Sequence, residues 1–295
     1  MTFGQLEIFV ALSEAQSFTL TARRLGISQP AVSHALKSLE TALNVSLFDR
    51  QGSQIVLTPI GAQLLERARE ILGLSRTMQQ EAASFRGLDT GSLRIGSFGA
   101  TSSLQLLPDL MSAFHRAYPG IDVFIEEAAD DIIVKWLEER RIDMGFVVLP
   151  DDRFETIPIA TDQFVALVPR QSALAKQERV TLSDLCNDPF IMPESGSVKI
   201  VSALFAAAGL TPQTRYRTSQ LLSTLSMVGR GQGVSVVAEM AVPAAHPDNP
   251  WVIRPLSPAH PRMIGLALHP TAVRSPAVTA FLRIAKTLRT RPKCA

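Results

Sequence analysis

Cysteine is almost missing from this chain. Cys186 and Cys294 are the only two in 295 residues, far apart and in no CxxC or metal-ligand spacing, so neither a disulfide framework nor a zinc site is expected. Long apolar runs are missing as well. No stretch approaches the roughly 20 apolar residues that a bilayer core demands, and the amino terminus lacks the basic-then-apolar layout of a signal peptide. A cytoplasmic protein without membrane contact is the expectation. The chain has no dominant charge: 29 Lys and Arg face 27 Asp and Glu, a net +2. There is no nucleophile elbow, no Walker loop and no GxGxxG after a strand, and His34, His115, His246, His260 and His269 are scattered without metal spacing. An enzyme, a metal and a cofactor are therefore not expected. What the chain does have is length and apolar content, 46% of 295 residues, enough for more than one core.

The most informative stretch is Ser17 to Glu40, SFTLTARRLGISQPAVSHALKSLE. Its first helical pattern, residues 19–25, directs Leu20 and Leu25 inward and Arg23 and Arg24 outward, and Gly26 stops it. Ser28 can cap the next helix, and Pro30 sits in its first turn where no intrahelical N–H is lost. Ala31, Val32, Ala35, Leu36 and Leu39 then supply a buried face of 3.6-residue period. The opposite face carries Gln29, Ser33, His34, Lys37 and Ser38. Short polar and amide side chains near a helix start suit base edges in a major groove, and Lys37 suits phosphate. His34 can read a base or touch phosphate. This is helix-turn-helix geometry, whose second helix reads double-stranded DNA.

Residues 3–16 read as an amphipathic covering helix through Phe3, Leu6, Phe9, Val10 and Leu12. After the recognition helix, Leu43, Val45, Leu47 and Phe48 close the small core. Arg50 to Gln54 form a polar turn before the strand Ile55-Val56-Leu57, so a two-stranded wing is expected. Arg50 at its tip either reaches DNA or is a solvated turn arginine. Through Thr58, Arg23, Arg24, Lys37 and Arg50 only balance Glu7, Glu14, Glu40 and Asp49, so DNA binding requires charge segregated by face, and affinity raised by oligomerisation.

Ser28-Gln29-Pro30-Ala31-Val32-Ser33, then Leu39-Glu40, Leu47-Phe48-Asp49-Arg50 and Leu57-Thr58-Pro59-Ile60-Gly61 resemble the N-terminal signature of LysR-type transcriptional regulators. The resemblance covers essentially the whole chain. Two departures are Ser53, where the family usually has a second basic residue, and Ile60, where it usually has Ala. The resemblance implies a winged helix-turn-helix with a long linker helix and a two-lobed, periplasmic-binding-protein-like α/β sensor. It implies DNA contacts from Thr19, Ser28, Gln29, Pro30, Ser33, His34, Lys37 and Arg50. The expected layout is a DNA-binding domain at 1–58, a linker helix and hinge at 59–90 and an effector-binding domain at 91–295. Lobe I covers about 91–162 and 264–295, and lobe II about 163–263. Some relatives sense redox state through cysteine pairs, but neither cysteine here has an adjacent cation to favour its thiolate.

From Thr58 and Pro59 a helical pattern runs to about Phe85. Leu64, Ile71, Met78 and Phe85 recur every seven residues, with Gly61, Ala68, Ser75 and Ala82 at the companion position of the seam. That is a heptad. A helix this long is expected to have no nearby core for the stripe, so Leu64, Ala68, Ile71, Ser75, Met78, Ala82 and Phe85 are read as a dimerisation seam, the alternative being that the stripe packs against its own domain. Two-fold symmetry then implies pseudo-palindromic sites, and the resemblance extends the homodimer to a homotetramer, with RNA polymerase open as a further partner.

Gly87 to Gly91 break the helix as a hinge. Beyond it, strands and helices alternate in two units, with short strands at 164–168 and 262–269 among them, which reads as α/β with a parallel sheet. Small ligands in such folds lie at strand carboxyl ends near helix N-termini. Ser97, Phe98, Gly99, Thr101 and Ser102 follow the first strand; Ser195, Gly196 and Ser197 follow a strand of the second unit and should face them. Thr218 and Ser219, with Gln220, are read as a third such stretch, capping the next helix. Each hydroxyl is either a ligand contact or only a helix cap. The resemblance implies small organic acids or inorganic anions at Thr101, Ser102 and the Ser195 to Ser197 loop. Glu127 and Asp130 either approach the cleft or, for Asp130, cap the following helix. No Arg or Lys lies within the two principal loops, apart from Lys199 just beyond, so a singly charged or neutral effector is expected over a multiply charged anion. The functional expectation is an effector-controlled transcriptional regulator. The rivals are an enzyme and a DNA-architectural protein that senses nothing.

Overall fold

A computed structural model of the chain describes residues 1–49, 55–85, 90–194, 198–244 and 246–288. They fall into two compact units, one made chiefly of Met1–Gly91 and the other chiefly of 92–272 with the C-terminal helix. In the first, Thr2 and Gln5 form a capping box that starts α1 (Phe3–Ala15). Ser17 caps α2 (Phe18–Leu25) by accepting from Leu20 N, and Gly26 ends it in the left-handed conformation at φ 66°. Ser28 accepts from Ala31 N to start α3 (Gln29–Leu43). The three helices enclose a core of Leu6, Phe9, Leu12, Leu36, Leu39, Leu47 and Phe48. A short antiparallel pair, β1 (Phe48–Asp49) and β2 (Val56–Leu57), makes the wing; the expected turn, with Arg50 and Ser53, lies outside the described residues.

Three inward assignments require correction. Leu20 is 53% exposed and Phe3 55% exposed, while Ala31 is also at the surface. On α2 the inward positions belong to Thr21 and Ala22 instead. Thr21 tolerates burial because its hydroxyl donates to Ser17 O at 2.8 Å, which removes the cost of an unpaired polar group. On α3 the buried face narrows to Val32, Leu36 and Leu39, spaced four and three apart. On α1 the core is filled by Leu6, Phe9, Ala11 and Leu12, and Phe3 in the first turn is left outside.

The second unit is built on a six-stranded sheet of order β4-β3-β5-β10-β6-β9. Its strands are β3 (Gly91–Phe98), β4 (Ile121–Ala128), β5 (Met144–Leu149), β6 (Glu155–Pro169), β9 (Ser235–Ala238) and β10 (Trp251–Leu268). The helices α5 (Leu107–Ala117), α6 (Asp130–Glu138) and α10 (Pro276–Thr287) belong to the half around β3 to β5, and one wide helical turn, Thr101–Leu106, precedes α5. In the other half, β7 (Phe190–Pro193) and β8 (Thr214–Thr218) form a parallel pair, accompanied by α7 (Leu182–Leu185), α8 (Val198–Ala207) and α9 (Leu221–Gly229). The sheet is mixed and not parallel throughout: β3 runs parallel to β5, but β10 is antiparallel to both β5 and β6, and β9 to β6. Two long strands, β6 and β10, replace the shorter ones expected at 164–168 and 262–269 and pair along nearly their whole lengths, with a register shift between Pro255 and His260. One end of this ribbon packs in a core with Phe114, Phe146, Ile264 and Phe281, which includes α10. Along the other end, Phe164, Ala166 and Val168 face a core with Phe190 and Phe205, while Val165 and Leu167 face one with Leu225 and Trp251. That alternation is the period-two signature of a strand buried on both faces.

The long helix α4 (Pro59–Phe85) begins where Thr58 Oγ1 accepts from Gly61 N at 2.9 Å and donates to Ser46 O at 2.8 Å. Gly61 lies against the Leu47 carbonyl so closely that a Cβ there would collide with backbone. The first part of the apolar stripe has a core of its own, contrary to expectation: Leu65 and Ala68 are buried in it, and Leu64, Ile71 and Leu72 lean on it. Gly61→Ala is therefore expected to destabilise the N-terminal unit by about 1–3 kcal/mol. Thermal melting followed by circular dichroism should show a clear fall; an unchanged melting temperature would mean that the start of α4 shifts at no cost.

Candidate functional site

On the first unit, α3 presents Ser28, Gln29, Pro30, His34 and Lys37 at the surface, with Ser33 half-buried beside them and Thr19 exposed on α2. Ser38, on the expected face, instead accepts from Gln5 Nε2 at 3.0 Å. The acids are mostly turned to internal use. Glu40 accepts from Leu47 N at 2.8 Å, and Glu14 pairs with Arg24 at 2.6 Å and lies 3.8 Å from Arg69. The segregation of charge is thus partial, because Arg24 is neutralised by Glu14 while no ion pair involves Arg23 or Lys37 among the described residues. Along α4, Leu74 is 47% exposed, Met78 64% and Phe85 95%, with Ala82 also at the surface and Ser75 half-buried. These exposed apolar positions, four, four and three apart, share one helix face.

On the second unit, a small cavity lies between the carboxyl end of β3 and the opposing half. Phe98, Gly99 and Thr101 line one wall, Pro193, Leu221, Val237 and Ala238 line the other, and Arg262 of β10 reaches between them. It encloses about 30 Å³, room for one or two water molecules. Ser97 and Ser102 are fully buried and do not line it. Their hydroxyls share a hydrogen bond of 2.9 Å; Ser102 Oγ also accepts from Phe98 N and donates to Phe98 O, so this pair closes the turn after β3. Thr218 is buried and shares a 2.7 Å hydrogen bond with Thr224, while Ser219 is exposed. The expected cap at this stretch is corrected: Gln220 occupies the N-cap of α9 and makes no side-chain cap bond. Ser195, Gly196 and Ser197 lie outside the described residues.

Arg262 is the charged cavity-lining residue that motif reasoning missed. It is buried against Asp162, with Nε and Nη2 donating to Asp162 Oδ2 at 2.9 and 2.7 Å, and Nη2 also donates to Thr101 Oγ1 at 2.8 Å. Its guanidinium carbon lies 5.8 Å from the Phe98 ring centroid and 5.1 Å from that of Phe164. The signal available in the sequence was a charged residue at the head of an apolar strand, Arg262 to Leu268, because a buried charge must be paired. Asp130 is the first residue of α6, not its cap: Ile132 N and Ile133 N both bond to Ala129 O. Burial raises the Asp130 carboxyl above its ordinary range, partly offset by the Asp131 N–H. Glu127 is exposed, and Asp131 pairs with Lys199 at 3.0 Å.

The HTH unit and the cleft match known families. Residues 3–62 match the family model of bacterial regulatory helix-turn-helix proteins of the lysR family, and residues 86–289 match the LysR substrate binding domain. The chain belongs to the LysR family of transcriptional regulators. It is a DNA-binding regulator with an effector-binding domain, and the family is not enzymatic. The chain is 32% identical to the uncharacterized HTH-type transcriptional regulator YvbU of Bacillus subtilis over 98% of its own length and 99% of the relative's. Its fold is similar to full-length OxyR from Pseudomonas aeruginosa, with TM-score 0.75 and 26% identity across 99% of this chain and 96% of that one. It is also similar to full-length CbnR in complex with its target DNA, with TM-score 0.63 and 25% identity across 97% and 99% of the two chains. No helix among the described residues is long and apolar enough to cross a membrane.

If Gln29 and Ser33 read base edges, Gln29→Ala and Ser33→Ala should each weaken operator binding by about 1–3 kcal/mol and leave nonspecific DNA binding nearly intact. Fluorescence anisotropy on operator and on random duplex measures this, and equal losses on both would refute base reading.

Proposed function

We propose that this regulator is controlled by a small organic acid or neutral metabolite bound in the cleft between Phe98–Thr101 and the opposing wall. The supporting observation is the convergence there of Thr101 and the buried Arg262 with an otherwise apolar lining. The working divisions are a DNA-binding domain at 1–58, a linker and hinge at 59–90, and an effector domain at 91–295. Lobe I of that domain covers about 91–162 and 264–295, and lobe II about 163–263. DNA is contacted by Thr19, Ser28, Gln29, Pro30, Ser33, His34, Lys37 and Arg50. The polar face of α3 reads pseudo-palindromic sites when two copies are held together, because the modest charge of one reading head limits its affinity.

The pairing surface is the exposed end of the α4 stripe. Of the seam residues, Leu64, Ala68 and Ile71 pack on or lean on their own core, which leaves Met78, Ala82 and Phe85, with Leu74, as the apolar contact. Thiol chemistry is not the control in this reading. Burial pushes the Cys186 thiol upward, away from the thiolate that oxidation requires.

Two experiments test the proposal. Thr101→Val removes the hydroxyl beside Arg262 and should abolish the response to effector, followed as the change in DNA footprint, while operator binding without effector persists. An unchanged response would place the effector elsewhere. Separately, Met78→Asp combined with Phe85→Asp should convert dimers to monomers in sedimentation velocity, since two charges would be buried in an apolar contact. A stable dimer would move the interface off α4.

A further inference from the structure

We propose that Arg262 is the specificity-determining anchor of the cleft and selects a small monocarboxylate with a compact aliphatic body. This rests on the reading of the cleft as the effector site. The Asp162 carboxylate beside Arg262 is fully committed: Oδ1 accepts from Gln163 N at 2.8 Å and Met240 N at 3.0 Å, and Oδ2 takes both bonds from Arg262. Four N–H groups donate to it. Arg262 itself is only part-committed. Nε and Nη2 are used on Asp162 and Thr101, whereas Nη1 has no hydrogen-bond partner among the described residues.

Thr101 Oγ1 accepts from Arg262 and so retains its own O–H to donate. The described side chains that line the cavity therefore offer donors at one end, the two Nη1 hydrogens and the Thr101 hydroxyl, and none of them offers a free acceptor. Pro193, Leu221, Val237 and Ala238 make the remainder apolar. A carboxylate supplies acceptors only and forms charge-assisted bonds to a guanidinium. An ammonium group would meet no side-chain acceptor among the described lining residues, and a second carboxylate would be set against apolar wall at a desolvation cost. The rings of Phe98 and Phe164 flank the guanidinium, so its donors are oriented before a ligand arrives.

Acetate, propionate and isobutyrate, each beside its primary amide, test this on the full-length protein by thermal shift and calorimetry. The acids are expected to raise the melting temperature and the amides to leave it unchanged, a comparison made on the wild-type chain alone. Arg262→Gln with Asp162→Asn, which leaves no lone buried charge, should weaken acid binding about tenfold or more, and Ala238→Trp, which fills the cavity, should abolish it. No binding by any of the acids, or equal binding of acids and amides, overturns the anchor. So does wild-type acid affinity in the double variant when Ala238→Trp has lost it, an outcome that leaves the cleft reading intact. Acid binding that survives Ala238→Trp overturns the cleft reading itself.

Discussion

The carboxylate of Asp162 is the point on which the sensor unit turns. It sits on β6 directly opposite Arg262 of β10, near the middle of the long ribbon, and its side chain is wholly buried. Burying an ion pair ordinarily returns little net stability, because both charges lose water. Here the loss is offset by four donors on one carboxylate and by two aromatic rings flanking the cation. The Met240 N–H draws in the short helical turn after β9, and Thr101 draws in the turn after β3. One pair thus ties together both crossing strands and both walls of the cleft. Loss of either partner alone would strand a buried charge, at a cost of about 3–5 kcal/mol.

Much of this molecule was legible in its sequence, and the failures have physical causes. Ser17, Ser28 and Thr58 announce helix starts because a cap is local: the donor it satisfies lies three residues away. Reading helix, wing strands and most α/β elements follow from period and punctuation. The ribbon does not. Asp162 and Gln163 interrupt the apolar run of β6, and Pro255, Pro258 and Pro261 punctuate β10, so each long strand looked like a short one with a loop attached. The partners that justify those residues lie about 100 positions away, as in Arg262 and Asp162, beyond any local pattern. The same separation hid Arg262 from a search of loops, and with it the only cation lining the cavity among the described residues. The mixed sense of the sheet follows from the same misreading, since two returning strands are what make it antiparallel at its centre.

The two helices whose faces were misjudged teach a related lesson. In α2 the inward set is Thr21 and Ala22, and Leu20 projects to solvent. Eight residues contain barely two turns, so a phase error of one position costs the pattern almost nothing, whereas packing against α1 and α3 decides it. In α4 the seven-residue repeat is real, but periodicity records only that a stripe is apolar. It says nothing of what covers the stripe. The first two repeats meet the core that ends at Leu47 and Phe48; Met78 and Phe85 lie largely exposed. A continuous sequence signal therefore serves two different contacts.

The size of the cleft constrains how a signal can begin. At about 30 Å³ among the described residues the cleft is small, so in the proposed reading a larger effector favours an arrangement in which Phe98 and Thr101 stand further from Pro193, Leu221 and Val237. It shifts the equilibrium only by its preference for that state. The ribbon limits how that separation occurs: Asp162 and Arg262 are already satisfied by each other, so the less costly motion leaves them paired and breaks the weaker link from Arg262 to Thr101. In the proposed reading Thr101 is then both the residue released by opening and a donor available to the ligand. A coupling of about 1–3 kcal/mol, the usual range for such switches, is comparable to exchanging that one hydrogen bond for a charge-assisted one.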